Sequence, residues 1–246
     1  MSDEDGIDTS RCPFVVCFIA EFFGTALFIF IGCMAYLAGP LETGPLLPAF
    51  SFGLGKLGLL QVYVHLTPAY LNPGLTLGMF ILRKIDWRRL LIYWAAEYTG
   101  ALVGYGILEL CAASDHMMCL PIVHKNLSIL QGFMIEFIVS MILMMTVAGA
   151  SDKRLLADSD STSLRLGLVL AGLYFAAEPY TGACMNPARS VPPCLFNKEW
   201  KDHWLYQVAP YTGMALGALV YRYVFDHEHK YSVYNIFDKS EDDDNV

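Results

Sequence analysis

The chain contains two copies of one pattern. Asn72-Pro73-Gly74 and Asn186-Pro187-Ala188 stand 114 residues apart. Each opens an apolar stretch, 72–82 and 186–196, whose length suits a re-entrant or buried segment rather than a span. Ala20-Glu21-Phe22-Phe23 is echoed 115 residues later by Ile135-Glu136-Phe137-Ile138. Tyr93-Trp94-Ala95-Ala96-Glu97-Tyr98-Thr99-Gly100 is echoed 113 residues later by Tyr206-Gln207-Val208-Ala209-Pro210-Tyr211-Thr212-Gly213. Six longer apolar stretches, 13–36, 46–66, 87–112, 129–150, 163–179 and 202–225, fall three to each copy. Three spans per copy insert the second copy upside down, and inverted repeats with discontinuous helices at mid-membrane point to a transporter or channel. Asn is a strong N-cap and Pro suits the first helical turn, so both short stretches are predicted to be half-helices that begin inside the membrane.

Composition excludes a soluble globule, because 16% charged residues against 55% hydrophobic lies well below the roughly 25% charge of soluble domains. At about 20 residues per span the chain has no room for a large soluble domain. Much of the net charge of −8 sits at the ends, with Asp3, Glu4, Asp5 and Asp8 at one and Glu241, Asp242, Asp243 and Asp244 at the other. The expected organisation is a tail over 1–12, a membrane domain over 13–225 with repeats at about 13–112 and 129–225, and an acidic tail over 226–246. The first stretch lacks the pattern of a removable leader and is expected to act as its own insertion signal. Seven cysteines, odd in number and without Cys-x-x-Cys or a His cluster, predict neither a disulfide framework nor a metal site. No paired carboxylates, nucleophile elbow, phosphate loop or zinc spacing appears, so no enzyme, cofactor or nucleic-acid partner is expected. With both termini inside, eleven of the sixteen Lys and Arg fall on the cytoplasmic side and three, Lys125, Lys198 and Lys201, on the outer side. Asn126-Leu127-Ser128 is a glycosylation sequon on that outer side.

Two Asn-Pro boxes, a Glu in spans one and four, and the run Thr181-Gly182-Ala183-Cys184-Met185-Asn186-Pro187-Ala188-Arg189-Ser190 together resemble the aquaporins, the major intrinsic protein family. The resemblance runs from about Cys12 to Phe225. It implies an all-α membrane protein of six tilted helices and two half-helices, the aquaporin hourglass. It also implies a homotetramer with one pore per subunit, in the plasma membrane, passing water, with small neutral solutes as further candidates, while excluding protons and ions. Two helix N-termini meeting at one point place about +0.5 charge each at mid-pore, and the amides of Asn72 and Asn186 can donate to a passing oxygen.

The resemblance places the outer constriction on Phe52, Tyr174, Ala183 and Arg189, with Tyr174 where water channels usually carry His. An Arg inside the membrane is a functional candidate in its own right. Cys184, beside Ala183, makes the pore a candidate for block by mercury. Glu21 and Glu136 are expected to anchor the non-helical backbone leading into each half-helix. Ser190 and Tyr206 look water-type, while Gln207 replaces an expected Trp and Cys194 a small residue.

Three departures concern conduction. Gly74 stands where Ala is usual. Lys56, one helical turn after Phe52, is expected to face the pore and narrow it. Glu97 stands where the family has Gln, and is the expected partner of Lys56. His65 near the inner mouth is a candidate pH sensor. The reading favoured by the sequence is a passive water channel; a glycerol or urea facilitator, or a poorly conducting homologue with a junctional or signalling role, are the alternatives.

Overall fold

The computed structural model describes residues 13–37, 44–111, 119–152 and 161–225. The tails expected over 1–12 and 226–246 lie outside the described residues, as do five of the eleven Lys and Arg counted on the cytoplasmic side, Arg11, Lys153, Arg154, Lys230 and Lys239. Eight α-helices form the described chain: α1 Phe14–Met34, α2 Leu46–Tyr63, α3 Pro73–Ile81, α4 Trp87–Cys111, α5 Ile129–Ala150, α6 Thr162–Thr181, α7 Pro187–Asn197 and α8 His203–Val220. A short π-helical turn, Tyr221–Phe225, continues α8. Helices α3 and α7 are the half-helices, each with its box proline at the first position and its box asparagine as N-cap.

α1, α2 and α5 are each long and apolar enough to cross a membrane on their own. The other long helices carry polar groups that the bundle hides, among them Glu97 in α4 and Tyr206 in α8. Helix α1 packs along α4, α5 along α8, and α2 along α6, while each half-helix lies against the last helix of the opposite repeat. The α1–α4 and α5–α8 crossings are repeat equivalents built on glycine pairs. A Cβ on Gly100 or Gly104 would stand 2.3 or 2.0 Å from the carbonyl oxygens of Phe22 and Ala26. On Gly213 or Gly217 it would stand 2.2 or 2.7 Å from those of Phe137 and Met141. In an apolar solvent, where burial of apolar surface drives nothing, this close backbone approach is what holds helices together.

One expectation is corrected. Cys33, at the end of α1, and Cys119, before α5, form a disulfide. Their separation of 86 positions gave no spacing signal, and only the packing of α1 on α4 brings the two segments to the same end of the bundle. Of the other described cysteines, Cys17, Cys184 and Cys194 are buried and Cys111 is exposed. Closing so long a loop is worth about 2–5 kcal/mol, so replacing both Cys33 and Cys119 by Ser is expected to lower the melting temperature in detergent. An unchanged transition would show that the bridge adds nothing to stability.

Candidate functional site

The non-helical segment before each half-helix alternates between ordinary and left-handed backbone. Ala69 and Leu71 have φ of 48° and 54°, and their equivalents Ala183 and Met185 have 45° and 49°. Such conformations cost of order 1–3 kcal/mol per residue and persist only where the surroundings fix them. Here a buried carboxylate fixes each one. Glu21 accepts from the Thr67 hydroxyl at 3.0 Å and from the backbone N–H of Tyr70 at 3.1 Å and of Leu71 at 2.9 Å. Glu136 accepts from the Thr181 hydroxyl at 2.6 Å and from the N–H of Cys184 and Met185, both at 2.8 Å. Thr67 and Thr181 were not singled out in the sequence, although they share the 114-residue offset of the boxes.

The two half-helices meet tip to tip. The Asn72 amide donates to the Met185 carbonyl and the Asn186 amide to the Leu71 carbonyl, each at 2.8 Å, so each repeat ties down the other's loop. Each side-chain oxygen caps its own helix, Asn72 accepting from Gly74 N–H at 2.9 Å and Asn186 from Ala188 N–H at 3.0 Å and Arg189 N–H at 3.3 Å. An amide carries two N–H groups and one of each is spent across the dyad, so one remains for a molecule between the tips.

Beside the tips lies a cavity of about 30 Å3, lined by both asparagines, Lys56, Tyr70, Tyr174 and Cys184 among others. That is room enough to hold water. The Cys184 thiol donates to the Asn186 carbonyl at 3.3 Å. Lys56 extends its ammonium to the carbonyls of Ala69 at 2.5 Å and Tyr70 at 2.8 Å. The position equivalent to Lys56 in the second repeat is Leu170, which also lines the cavity, so the ammonium breaks the symmetry of the lumen.

The expected pairing of Lys56 with Glu97 gives way to these carbonyl contacts. Glu97 instead accepts from Asn72 N–H at 3.0 Å and from the Thr76 hydroxyl at 2.7 Å, both through Oε1. Its Oε2 has no hydrogen-bond partner among the described residues. Neither Glu97 nor Glu21 hydrogen-bonds Lys56, whose ammonium goes to the two carbonyls instead.

Phe52 and Tyr174 stack with ring centroids 4.3 Å apart and planes 11° from parallel. Arg189 lies with its guanidinium carbon 5.5 Å from the Phe52 ring centre and donates to the Gly182 carbonyl at 3.5 Å. Its Nε and Nη1, and the Tyr174 hydroxyl, have no hydrogen-bond partner among the described residues. Ala183, fully buried, adds no bulk. Phe52, Tyr174 and Arg189 thus lie together, and Ala183 follows Gly182, whose carbonyl Arg189 reaches. His65 is exposed on the turn after α2 and does not line the small cavity. Asn126 is exposed just before α5, and Ser128 of its sequon caps that helix.

The unexpected Gln207 has a clear job. Trp94 donates its indole N–H to the Pro73 carbonyl, and Gln207 donates its amide to the Pro187 carbonyl, both at 2.9 Å. Gln207 also donates to Ser190 at 2.7 Å and accepts from Tyr98 at 3.0 Å, while Tyr206 donates to the Thr181 carbonyl at 3.0 Å. Gln207 therefore braces the second half-helix through Pro187 and Ser190, while Tyr206 holds the end of α6.

Gly74 has a similar explanation. A Cβ there would lie 2.5 Å from the Met214 sulfur, so the thioether fills the place of the missing methyl. The sulfur lies far out on a flexible side chain, so Gly74→Ala is expected to destabilise the chain by only about 1 kcal/mol, and Met214→Ala, which empties a buried site, to cost less in that background than in the parent. Thermal unfolding of the single and double variants reads this; equal transitions for Gly74→Ala and the parent would mean the tip has slack.

A family model described as "Major intrinsic protein" matches residues 8–221. Among similar proteins, Aquaporin-4 of Mus musculus is 32% identical over 230 residues, covering 90% of this chain and 71% of that protein. Lens fiber major intrinsic protein of Lithobates pipiens is 34% identical over 212 residues, covering 83% and 79%. Aquaporin NIP1-1 of Oryza sativa subsp. japonica is 33% identical over 216 residues, covering 86% and 75%. Among solved structures, the aquaglyceroporin from Plasmodium falciparum superposes with a TM-score of 0.71 at 21% identity, covering 86% of this chain and 97% of that one.

Proposed function

The chain belongs to the major intrinsic protein family, and from that premise we infer that it is a passive membrane channel for water and small neutral solutes, with water preferred. The observation that carries this reading is the meeting of Asn72 and Asn186, each with one N–H spent across the dyad, beside a cavity with room for water. A molecule there meets fixed donors and two positive helix ends, so a neutral acceptor is held briefly and a cation is repelled. Phe52, Tyr174, Ala183 and Arg189 form the outer filter in this reading. The stacked ring pair supports a preference for water over glycerol, since a polyol would have to separate the rings. No step needs a nucleophile, cofactor or metal. The protein is a channel, not an enzyme.

Further parts of the proposal concern setting. Both termini face the cytosol of a plasma-membrane protein, a reading supported by the Lys and Arg bias and by the Cys33–Cys119 disulfide, which belongs on an oxidising side. The exposed apolar residues of the outer helices, such as Phe23, Leu110 and Leu130, suit contact with lipid and with sister subunits of a homotetramer. A second reading, a poorly conducting homologue with a junctional or signalling role, is favoured by one observation, the capture of the Ala69 and Tyr70 carbonyls by Lys56.

Solute choice is tested by stopped-flow light scattering of proteoliposomes under sucrose, glycerol and urea gradients. Fast shrinkage in sucrose with slow glycerol and urea re-entry is the expected result. Glycerol re-entry as fast as water efflux would replace the water reading with a facilitator.

A further inference from the structure

A second, larger cavity of about 580 Å3 opens at the end of the bundle opposite the disulfide, where α3 ends, α4 begins and the chain leaves α8. Four basic residues, Arg83, Lys84, Arg89 and Arg222, and a single acid, Asp86, line it. Asp86 is already engaged, accepting from the N–H of Arg88 at 2.7 Å and of Arg89 at 2.9 Å as the cap of α4. Arg222 donates to the Ile81 carbonyl at 2.7 Å, which fixes its guanidinium at the cavity wall and satisfies the end of α3. Arg83, in the left-handed conformation just after α3, and Lys84 are exposed at the mouth. The cavity therefore holds an excess of three positive charges in a concave site built by three separate segments.

Its surroundings identify the occupant. Phe80 lines the cavity and is 37% exposed, and Trp87, beside Asp86, is 58% exposed. Exposed aromatic residues beside a basic pocket mark the level where a bilayer's headgroups meet its acyl chains. A soluble anion has no use for the apolar rim, whereas a phospholipid fills both parts at once.

We propose that this cavity binds the headgroup of an anionic phospholipid, with the phosphodiester and its additional negative charge facing Arg83, Lys84 and Arg222 and an acyl chain along Phe80. The proposal rests on the membrane reading and on the side of the membrane it assigns to this end, where anionic lipids concentrate. The bound lipid then tethers the carboxyl end of α3, the half-helix whose other end carries Asn72.

Native mass spectrometry of the delipidated full-length protein tests this, titrated separately with phosphatidylserine, phosphatidylcholine and inorganic phosphate. Phosphatidylserine is expected to bind more tightly than phosphatidylcholine. Arg83→Gln with Lys84→Gln, both at exposed positions, is expected to weaken it by roughly thirtyfold, the effect of removing two basic residues near an anionic group. Lys198→Gln with Lys201→Gln, at the opposite end, is expected to leave it unchanged. Equal binding of the two lipids, or an equal loss in the opposite-end variant, would overturn the proposal. Displacement of the lipid by an equimolar concentration of inorganic phosphate would do so too, by making this a soluble-anion site. Binding is read without any flux, so a failure here is separate from a failure of the channel reading.

Discussion

Replacing Lys56 with Met and Glu97 with Gln together is expected to raise osmotic water permeability by roughly tenfold over the parent protein. The ammonium makes two charge-assisted bonds to the Ala69 and Tyr70 carbonyls inside the lumen, and each is worth about 1.5–3 kcal/mol. A water molecule that uses either carbonyl must first displace the amine. Met keeps the length and flexibility of the side chain but leaves both oxygens free. The Glu97 change accompanies it because removing the cation alone would leave two buried acids without a nearby opposite charge, a loss that can cost several kcal/mol. Gln fits at 97 since one oxygen of Glu97 already does all its hydrogen bonding, to Asn72 and Thr76. Permeability per protein, from stopped-flow traces normalised to reconstituted protein, reads the effect. A double variant that folds but conducts like the parent would show that the ammonium moves aside at no cost.

Glu136→Leu is expected to abolish folding, whereas Glu136→Gln leaves a protein that folds with reduced stability. Three donors converge on Glu136, from Thr181, Cys184 and Met185, and all three residues are buried. Leaving each donor unsatisfied costs about 1–3 kcal/mol, so Leu forfeits roughly 3–9 kcal/mol, comparable with the whole stability of a domain. Gln retains one oxygen and so keeps part of the set. Recovery of monodisperse protein from detergent extraction distinguishes the two. Good recovery of Glu136→Leu would mean that the left-handed backbone at Ala183 and Met185 stands without its anchor.

Pseudo-symmetry explains what was legible in the sequence. The half-helices at 72–82 and 186–196 could be placed because Asn-Pro has a local meaning as cap and first turn, and because everything around it recurs at nearly one offset. Glu21 and Glu136 could be paired for the same reason. Asymmetric contacts stayed hidden. That Lys56 turns to backbone carbonyls rather than to Glu97 depends on the left-handed φ of Ala69, which no residue type announces at an alanine. Gln207 looked like a broken match to Trp94, yet the two donate to equivalent carbonyls; the equivalence lies in the N–H group and not in side-chain shape. The Gly74 departure is compensated by Met214, 140 residues away in sequence, and the Cys33–Cys119 bridge likewise needed the helix packing to appear.

Osmotic shrinkage of proteoliposomes holding the full-length protein, recorded with a pH-sensitive dye in the lumen under an imposed proton gradient, is the most direct test. Water efflux faster than from protein-free vesicles, with no faster collapse of the proton gradient, is the result that two opposed half-helix ends and their asparagines predict. Water efflux equal to that of empty vesicles in both the parent and the Lys56→Met, Glu97→Gln protein, or a proton leak that tracks the water flow, would contradict the channel assignment.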